Sequence, residues 1–254
     1  MKVKEAAKVI KQESLAEGIF SLTLETKAAE FAVPGQFVSL YCEDHSKLLP
    51  RPISICEIDK EKSTLRLVYR VAGKGTEEFS HLTAGDSVEL LGPLGNGFPL
   101  EGENPMVVGG GIGVPPMLEL TKQLPGSVTA VMGYRNDDMF LTEEFVDNAA
   151  ELFIATDDGS VGTHGTVVDA IKENNLKPDI IFACGPKPML RALAAYAAEH
   201  DIKCYVSMEE RMACGVGACL GCVCQSTDVD DHSLVNNKRV CKDGPVFLST
   251  EVEL

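Results

Sequence analysis

The chain has 254 residues, of which 44% are hydrophobic, and it carries a formal net charge of −15. This length is sufficient for two domains and a small third one. The acidic balance argues against a nucleic-acid partner, although it fits either simple solubility or docking onto a basic protein. The first residues lack a signal-peptide pattern, and no apolar run reaches the roughly 18 residues that cross a bilayer. We therefore expect a cytoplasmic protein without membrane contact.

The first hundred residues have the pattern of a β-rich domain. Short stretches of alternating apolar and polar residues are punctuated by glycine and proline, and they predict strands at 19–25, 36–41, 64–70 and 87–91. One short helix is expected near 76–82. Many short strands at this spacing predict an antiparallel barrel.

The pattern changes after a glycine-rich boundary at 92–97. Apolar runs then alternate with helical stretches: strands are predicted at 106–108, 128–132, 152–155 and 180–183, and helices at 117–123, 143–150, 167–173 and 187–200. Such alternation is typical of a parallel sheet with helical crossovers. The domains predicted are 1–100, 101–206 and a small loop-rich segment, 207–254, with a polar stretch at 226–232.

The loop-rich segment contains the most specific motif of the chain. Cys214, Cys219 and Cys222 form a C-x4-C-x2-C run, and Cys241 follows as a fourth candidate ligand. This is the ligand pattern of a plant-type [2Fe–2S] cluster, and small residues between the thiols let the backbone wrap closely around it. A structural zinc site on a non-redox binding protein is the alternative, but zinc favours paired C-x2-C knuckles.

The other cysteines are not expected to bind metal. Cys42, Cys56, Cys184 and Cys204 lie in apolar, strand-like contexts and are interpreted as small buried hydrophobic residues. Cys224 follows Cys222 by two positions, and we interpret it as a spare thiol directed away from the cluster.

Two short motifs in the first domain suggest a phosphate site. In the run Arg51-Pro52-Ile53-Ser54, the planar guanidinium matches phosphate oxygens and the serine hydroxyl can bond a ring nitrogen. The run 73–76 presents glycine N–H groups at the start of a helix. Together they predict a cradle for a flavin dinucleotide, whereas either one alone also fits a surface arginine or a turn.

Glycines follow the first strand of the second domain. Gly109, Gly110, Gly111 and Gly113 precede a helix, and the run 184–186, Cys-Gly-Pro, ends a later strand. Both loops lie at the carboxyl edge of the predicted sheet, where ligands bind, although glycines there also serve simply to make a tight turn.

A third loop of the same domain contains two adjacent carboxylates and lacks a basic residue. Asp157 and Asp158 would repel a 2′-phosphate, which favours NAD over NADP, although they equally fit a solvated turn.

The order of these motifs resembles the ferredoxin–NADP reductase superfamily, in which a flavin barrel precedes a nicotinamide-binding domain. With the C-terminal cysteine motif, nearly the whole chain is similar to the electron-transfer subunits of type B dihydroorotate dehydrogenases. The resemblance implies contacts to FAD from two strands and a turn: Arg51, Pro52, Ile53, Ser54, Val68, Tyr69, Arg70, Gly75 and Thr76. It implies contacts to NAD from Gly109, Gly110, Gly111, Gly113, Asp157, Cys184, Gly185 and Pro186. It implies cluster ligation by Cys214, Cys219, Cys222 and Cys241.

The resemblance also implies a role in pyrimidine biosynthesis. A partner subunit containing FMN would oxidise dihydroorotate to orotate, and this chain would pass the electrons through its cluster and FAD to NAD⁺. The complex is expected to be a heterotetramer with two copies of each subunit. No side chain of this chain is expected to act as a catalytic acid or base. Relatives with the same three parts serve as nicotinamide–ferredoxin oxidoreductase, sulfhydrogenase or sulfite reductase subunits, and only the partner separates these functions.

Overall fold

The first region is the predicted antiparallel barrel. The structure, a computed structural model, describes residues 1–229 and 234–254; part of the polar stretch predicted at 226–232 lies outside them. The strands and the α-helix of the barrel are β1 (Val3–Ala16), β2 (Ile19–Glu25), β3 (Phe37–Tyr41), β4 (Arg51–Asp59), β5 (Thr64–Arg70), α1 (Lys74–Phe79) and β6 (Ser87–Leu94). Its strands close in the order β1-β2-β5-β4-β3-β6. Leucines from several strands fill the interior, which confirms the antiparallel barrel.

The long strand β1 is absent from the sequence-based prediction. Its alanines, lysines and glutamates are good helix formers, and they give no clean apolar alternation. The strand nevertheless pairs with both β2 and β6, and these two ladders close the barrel. Closure leaves no free edge, so pairing decides the conformation where local propensity favours a helix.

The second region is the predicted α/β domain. Its elements are β7 (Pro105–Gly110), α2 (Pro115–Gln123), β8 (Thr129–Tyr134), α3 (Thr142–Asn148), β9 (Glu151–Thr156), β10 (Thr163–His164), α4 (Val167–Glu173), β11 (Ile180–Cys184), α5 (Lys187–Glu199) and β12 (Lys203–Ser207). These strands are parallel, in the order β10-β9-β8-β7-β11-β12. Every residue of β7 and β11 is buried, as expected for central strands covered on both faces. The strand order reverses between these two, which opens a crevice at their carboxyl ends.

The C-terminal segment is mostly loop, and it contacts both the barrel and the α/β domain. It forms a small hairpin of β13 (Val223–Gln225) and β14 (Asn237–Arg239). Its last strand, β15 (Val246–Leu248), pairs antiparallel with β12 and so extends the sheet of the second region. None of the α-helices among the described residues combines the length and the hydropathy that crossing a bilayer requires.

The barrel and the α/β domain meet through a shared apolar core and through charged side chains. Arg66 of β5 bonds Glu57 of β4 at 2.5 Å and Glu144 of α3 at 3.3 Å. Lys122 of α2 also pairs with Glu57. The buried Glu119 of α2 accepts a hydrogen bond from the backbone N–H of Ile58 at 2.7 Å. These contacts fix the two domains against each other.

Candidate functional site

The structure brings the two predicted phosphate motifs together. Arg51 begins β4, and its guanidinium lies against Gly75 in the first turn of α1, so closely that a Cβ at Gly75 would collide with Arg51 Nε. The arginine is held by a hydrogen bond from Nη1 to the carbonyl of Leu49. Only glycine permits this approach, which places a cation beside the N–H groups of a helix start.

The four residues of the Arg51–Ser54 run do not all face outward. Pro52 is exposed and Ser54 is partly exposed, whereas Ile53 is buried among the barrel leucines because side chains alternate along a strand. Pro52 lies opposite Ser39 of β3 in the ladder. Arg51, Pro52 and Ser54 are therefore the residues of this run whose side chains can reach a bound flavin.

The predicted residues at the end of β5 also divide. Val68 and Tyr69 are buried, and Tyr69 Oη bonds Gln12 Oε1 at 3.0 Å. Burial raises the pKa of Tyr69. Arg70 is exposed and lines the crevice between the two domains. Val68 and Tyr69 can thus meet a cofactor only through their backbone, whereas Arg70 can use its side chain.

The hydroxyl of Thr76 is engaged in the turn that begins α1. Its Oγ1 accepts hydrogen bonds from the N–H groups of Ala72 and Gly73, at 2.9 and 3.2 Å, and donates to the carbonyl of Gly73 at 3.0 Å. This threonine shapes the loop, so its direct contribution to a cofactor would be its backbone.

The predicted nucleotide loops line one crevice of about 650 Å³. Those of its lining residues that the sequence analysis singled out are Arg70, Gly110, Gly111, Gly113, Asp157, Gly185 and Pro186. The two loops touch, because a Cβ at Gly113 would collide with the carbonyl of Cys184. Gly109 and Cys184 are buried beneath the crevice, and burial raises the pKa of Cys184 to about 12. The thiol is therefore neutral at ordinary pH.

The two predicted specificity carboxylates have different environments. Asp158 accepts hydrogen bonds from the N–H and the hydroxyl of Ser160, at 3.0 and 2.6 Å, and these bonds lower its pKa. Asp157 lines the crevice instead. Of the pair, Asp157 alone is placed to meet a nucleotide there.

The crevice contains four charged residues that the sequence analysis missed, Glu17, Arg135, Asp138 and Glu209, and two of them closely follow parallel strands. Arg135 follows β8, and Glu209 follows β12. Burial raises the pKa of Glu209, and the charge of Arg70 opposes that shift. The positions of Arg135 and Glu209 just beyond parallel strands were the available signal, since ligands bind at that edge.

The four candidate cluster thiols form two contacting pairs, Cys214 with Cys219 and Cys222 with Cys241. Backbone N–H groups point at the sulfurs: Gly217 N lies 3.1 Å from Cys241 Sγ, and Ala218 N lies 3.3 Å from Cys214 Sγ. Burial raises the pKa of Cys214, but the backbone N–H donors and the Cys219 side chain outweigh burial and lower the pKa to about 6. Burial and the neighbouring Cys222 raise that of Cys241 to about 12.

The chemistry of these thiols suits a two-iron centre. Within residues 1–229 and 234–254, no group of three or more His, Cys, Asp or Glu side chains is gathered as a single-ion site. A [2Fe–2S] cluster instead takes two thiolates on each iron, and N–H donors to sulfur tune such centres. Two thiol pairs ringed by amides suit that ligand set.

The remaining cysteine of the segment has a different partner. Cys224 is buried on β13, and its thiol lies 3.5 Å from the carbonyl of Lys238. The predicted hydrophobic cysteines Cys56, Cys184 and Cys204 are buried, whereas Cys42 is partly exposed.

The cluster loop lies directly on the barrel. A Cβ at Gly215 would be 3.0 Å from Ser39 Oγ and 3.3 Å from Leu94. Ser39 is the ladder partner of Pro52, so the loop that contains Cys214 contacts the strand next to the candidate flavin strand. The cluster loop therefore contacts the barrel at β3 and the crevice opens at β5, with β4 between these two strands in the sheet.

Comparisons with known proteins agree with this arrangement. A family model described as the iron–sulfur cluster binding domain of dihydroorotate dehydrogenase B matches residues 209–253. A model described as an oxidoreductase FAD-binding domain matches residues 6–98. Both matches confirm the cofactor-binding regions predicted for the two ends of the chain.

Solved structures show the same fold. The structure titled as the NADH-dependent reduced ferredoxin–NADP oxidoreductase, studied for flavin-based electron bifurcation, aligns with a TM-score of 0.88 and 28% identity over 98% of this chain and 90% of its own. A ferredoxin NADP⁺ reductase from Neisseria gonorrhoeae with bound FAD and NADP aligns with a TM-score of 0.64 and 15% identity, over 78% of this chain and 91% of its own.

Curated relatives match over nearly their full length. The chain is 45% identical to the electron transfer subunit of dihydroorotate dehydrogenase B (NAD(+)) from Bacillus caldolyticus, over 99% of both chains. It is 43% identical to the subunit of the same name from Listeria welshimeri, over 97% of this chain and 98% of the relative. The chain therefore belongs to the family of the electron transfer subunits of NAD-dependent dihydroorotate dehydrogenase B.

Proposed function

We propose that this chain carries electrons from a catalytic partner subunit, through a [2Fe–2S] cluster and FAD, to NAD⁺. The partner would contain FMN and oxidise dihydroorotate, which places the reaction in pyrimidine biosynthesis. The names of the relatives and the matched cofactor regions support this role. The single observation that carries it is the order of three neighbouring barrel strands, β5-β4-β3. The crevice opens at Arg70 of β5, and the cluster loop contacts Ser39 of β3.

The residues of the chain would chiefly hold and orient the cofactors. When bound, FAD exchanges electron pairs with a nicotinamide and single electrons with the cluster. Arg51 and the N–H groups around Gly75 are suited to bind its phosphates, and the glycine loops at Gly113 and Gly185 are suited to a nicotinamide nucleotide. Cys214, Cys219, Cys222 and Cys241 would supply the four thiolates. Positioning of this kind needs no acid or base from the protein.

The partner, the assembly and the location of the chain are parts of the same proposal. We propose a heterotetramer with two copies of each subunit, in the cytoplasm and free of membrane contact. The nine cysteines form no disulfide, which suits a reducing compartment.

A second candidate function is supported by one comparison. The chain is 28% identical, with a TM-score of 0.88, to the NADH-dependent reduced ferredoxin–NADP oxidoreductase. This similarity supports a second function in which a ferredoxin is the electron donor or acceptor. The distinction depends on the partner, because both functions would use the same crevice and thiols.

Co-purification tests the proposal. The tagged chain would be isolated anaerobically from its native cells, its partner identified by mass spectrometry, and the complex assayed for NADH formation from dihydroorotate. We expect an FMN-containing partner and dihydroorotate-dependent reduction of NAD⁺. Capture of a ferredoxin, with no activity on dihydroorotate, would favour the second function.

A further inference from the structure

The glycine-rich boundary at 92–97 contains an asparagine, Asn96, that donates hydrogen bonds to the segment following the fourth thiol. Asn96 Nδ2 donates to the carbonyls of Asp243, at 2.9 Å, and Lys242, at 3.3 Å. Its backbone N–H donates to the carbonyl of Gly244 at 2.6 Å. One residue at the end of the barrel thus binds three successive carbonyls beyond Cys241.

The surrounding contact is apolar and does not by itself fix a register. Phe37 and Leu94 of the barrel share a buried core with Val240 and Cys241. Hydrophobic contact is non-directional, whereas hydrogen bonds require particular atoms to face each other. The bonds from Asn96 are therefore the contacts that select one position of this segment on the barrel.

The turn formed by residues 242–244, which Asn96 binds, is connected by hydrogen bonds to the rest of the cluster loop. The carboxylate of Asp243 accepts hydrogen bonds from the backbone N–H of Arg239, at 2.8 Å, and from its guanidinium, at 2.9 and 3.1 Å. Arg239 Nη1 in turn donates to the carbonyl of Gly217 at 3.4 Å, and Gly217 N–H lies on Cys241 Sγ. A displacement of residues 242–244 would therefore be passed to the loop that contains the first thiols.

We propose that Asn96 is a positioning residue for electron transfer between flavin and cluster. It holds the turn after Cys241 at a fixed place just beyond the end of β6, which β3 separates from the candidate flavin strand β4, and so fixes the separation of the two centres. This role rests on the function proposed above. It concerns one reversible step, in which a single electron passes between the cluster and the flavin; the test below runs this step from reduced flavin to oxidised cluster.

The test compares the wild-type chain with Asn96→Ala in the purified, cofactor-loaded protein. Loss of two partly exposed amide–carbonyl bonds is expected to raise the opening of residues 241–244 by about 5- to 10-fold, while the backbone bond of residue 96 persists. Hydrogen exchange at the amides of Lys242 and Asp243, which bond the carbonyl of Arg239, reports this opening without any assay of activity. Stopped-flow absorbance then separates reduction of the flavin by NADH from the later reduction of the cluster.

We expect Asn96→Ala to retain FAD and iron, to keep the rate of flavin reduction by NADH, and to slow cluster reduction. Asn148→Ala is the matched control, since it also removes an amide–carbonyl bond, 2.7 Å long and internal to α3. Asn96→Ser, whose shorter hydroxyl can reach at most one carbonyl, should give an intermediate effect.

Unchanged exchange and unchanged cluster reduction in Asn96→Ala would overturn the proposal. Loss of iron in both Asn96→Ala and Asn96→Ser would overturn it in favour of a folding role. A wild-type chain whose flavin NADH cannot reduce would instead contradict the proposed function, while the exchange measurement would still decide whether Asn96 holds the turn.

Discussion

The barrel contacts its two neighbours through different chemistry. Towards the α/β domain it adds ion pairs to a shared apolar core: Cys56 and Val68 belong to the same buried cluster as Met117 of α2, while Arg66 pairs with Glu144 and Glu57 with Lys122. Towards the cluster segment it uses the apolar side chains of Phe37 and Leu94 and the neutral amide of Asn96. The first interface encloses the crevice, and the second seats the thiols.

Because of this difference, the two interfaces depend on different sources of stability. Ion pairs respond to pH and salt and tie together two domains that each have a core. The cluster segment has short strands and few buried side chains of its own, so the metal centre is expected to supply much of its stability. The two interfaces should therefore fail under different perturbations.

Removing a cluster ligand should have the largest effect. Cys219→Ala removes one thiolate of the first contacting pair, so the chain should lose nearly all its iron. The barrel should keep FAD, because Arg51 and the other candidate FAD residues lie in a different domain. Iron analysis and visible absorbance measure both. Cys224→Ala is the control and should retain iron, because that thiol lies against a carbonyl. Full iron content in Cys219→Ala would refute the proposed ligand set.

Breaking the charged interface should have an intermediate effect that depends on pH. Burial raises the pKa of Glu57, but the bonds from Lys122 and Arg66 outweigh it, and the pKa lies below its ordinary value. A depressed carboxyl stabilises the fold above its unfolded pKa of about 4.3, and this contribution is lost as the pH falls through the folded value. Glu57→Gln should therefore cost about 1.5–3 kcal/mol at pH 7, the range for hydrogen bonds to charged groups.

Urea unfolding of the intact protein measures this loss, and the gap between Glu57→Gln and wild type should narrow below pH 4.3, the ordinary value for Glu. The exposed Glu61→Gln serves as the control and should change little. A gap that stays constant from pH 7 to acid would show that shape rather than charge joins the two domains.

The smallest effect is expected at the crevice. Asp157→Asn removes the carboxylate that lines it, so reduction of the flavin by NADPH should rise about two- to fivefold relative to NADH, the scale of an exposed charge interaction of about 0.5–1 kcal/mol. Asp158→Asn should leave the preference unchanged, because that side chain is bonded to Ser160. Equal shifts in both variants would remove the distinction between the two carboxylates.

The sequence predicted the barrel, the parallel sheet and the grouping of the motifs, because turn residues and apolar periodicity mark them directly. It missed β1, whose residues favour a helix until two neighbouring strands pair with it. It also missed β12, a short strand between α5 and the cluster segment. Both omissions reflect pairing between segments that are distant in sequence.

The candidate site was predictable where a motif has its own chemistry. Arg51 and Gly75 meet as expected because a guanidinium needs a gap that glycine provides. Arg135, Glu209 and Asn96 were not predicted, since single polar residues in loops give no pattern until the fold places them. The pairing of the four thiols likewise emerges only from the folded loop.

The most direct test of the electron path is an anaerobic titration of the purified, reconstituted chain with NADH, followed by absorbance. We expect the flavin band to bleach first and the broad iron–sulfur absorbance to fall afterwards, in a protein that contains both FAD and iron. A chain that stays colourless after reconstitution, or a cluster that remains oxidised beside a fully reduced flavin, would contradict a path from the crevice through the barrel to the four thiols.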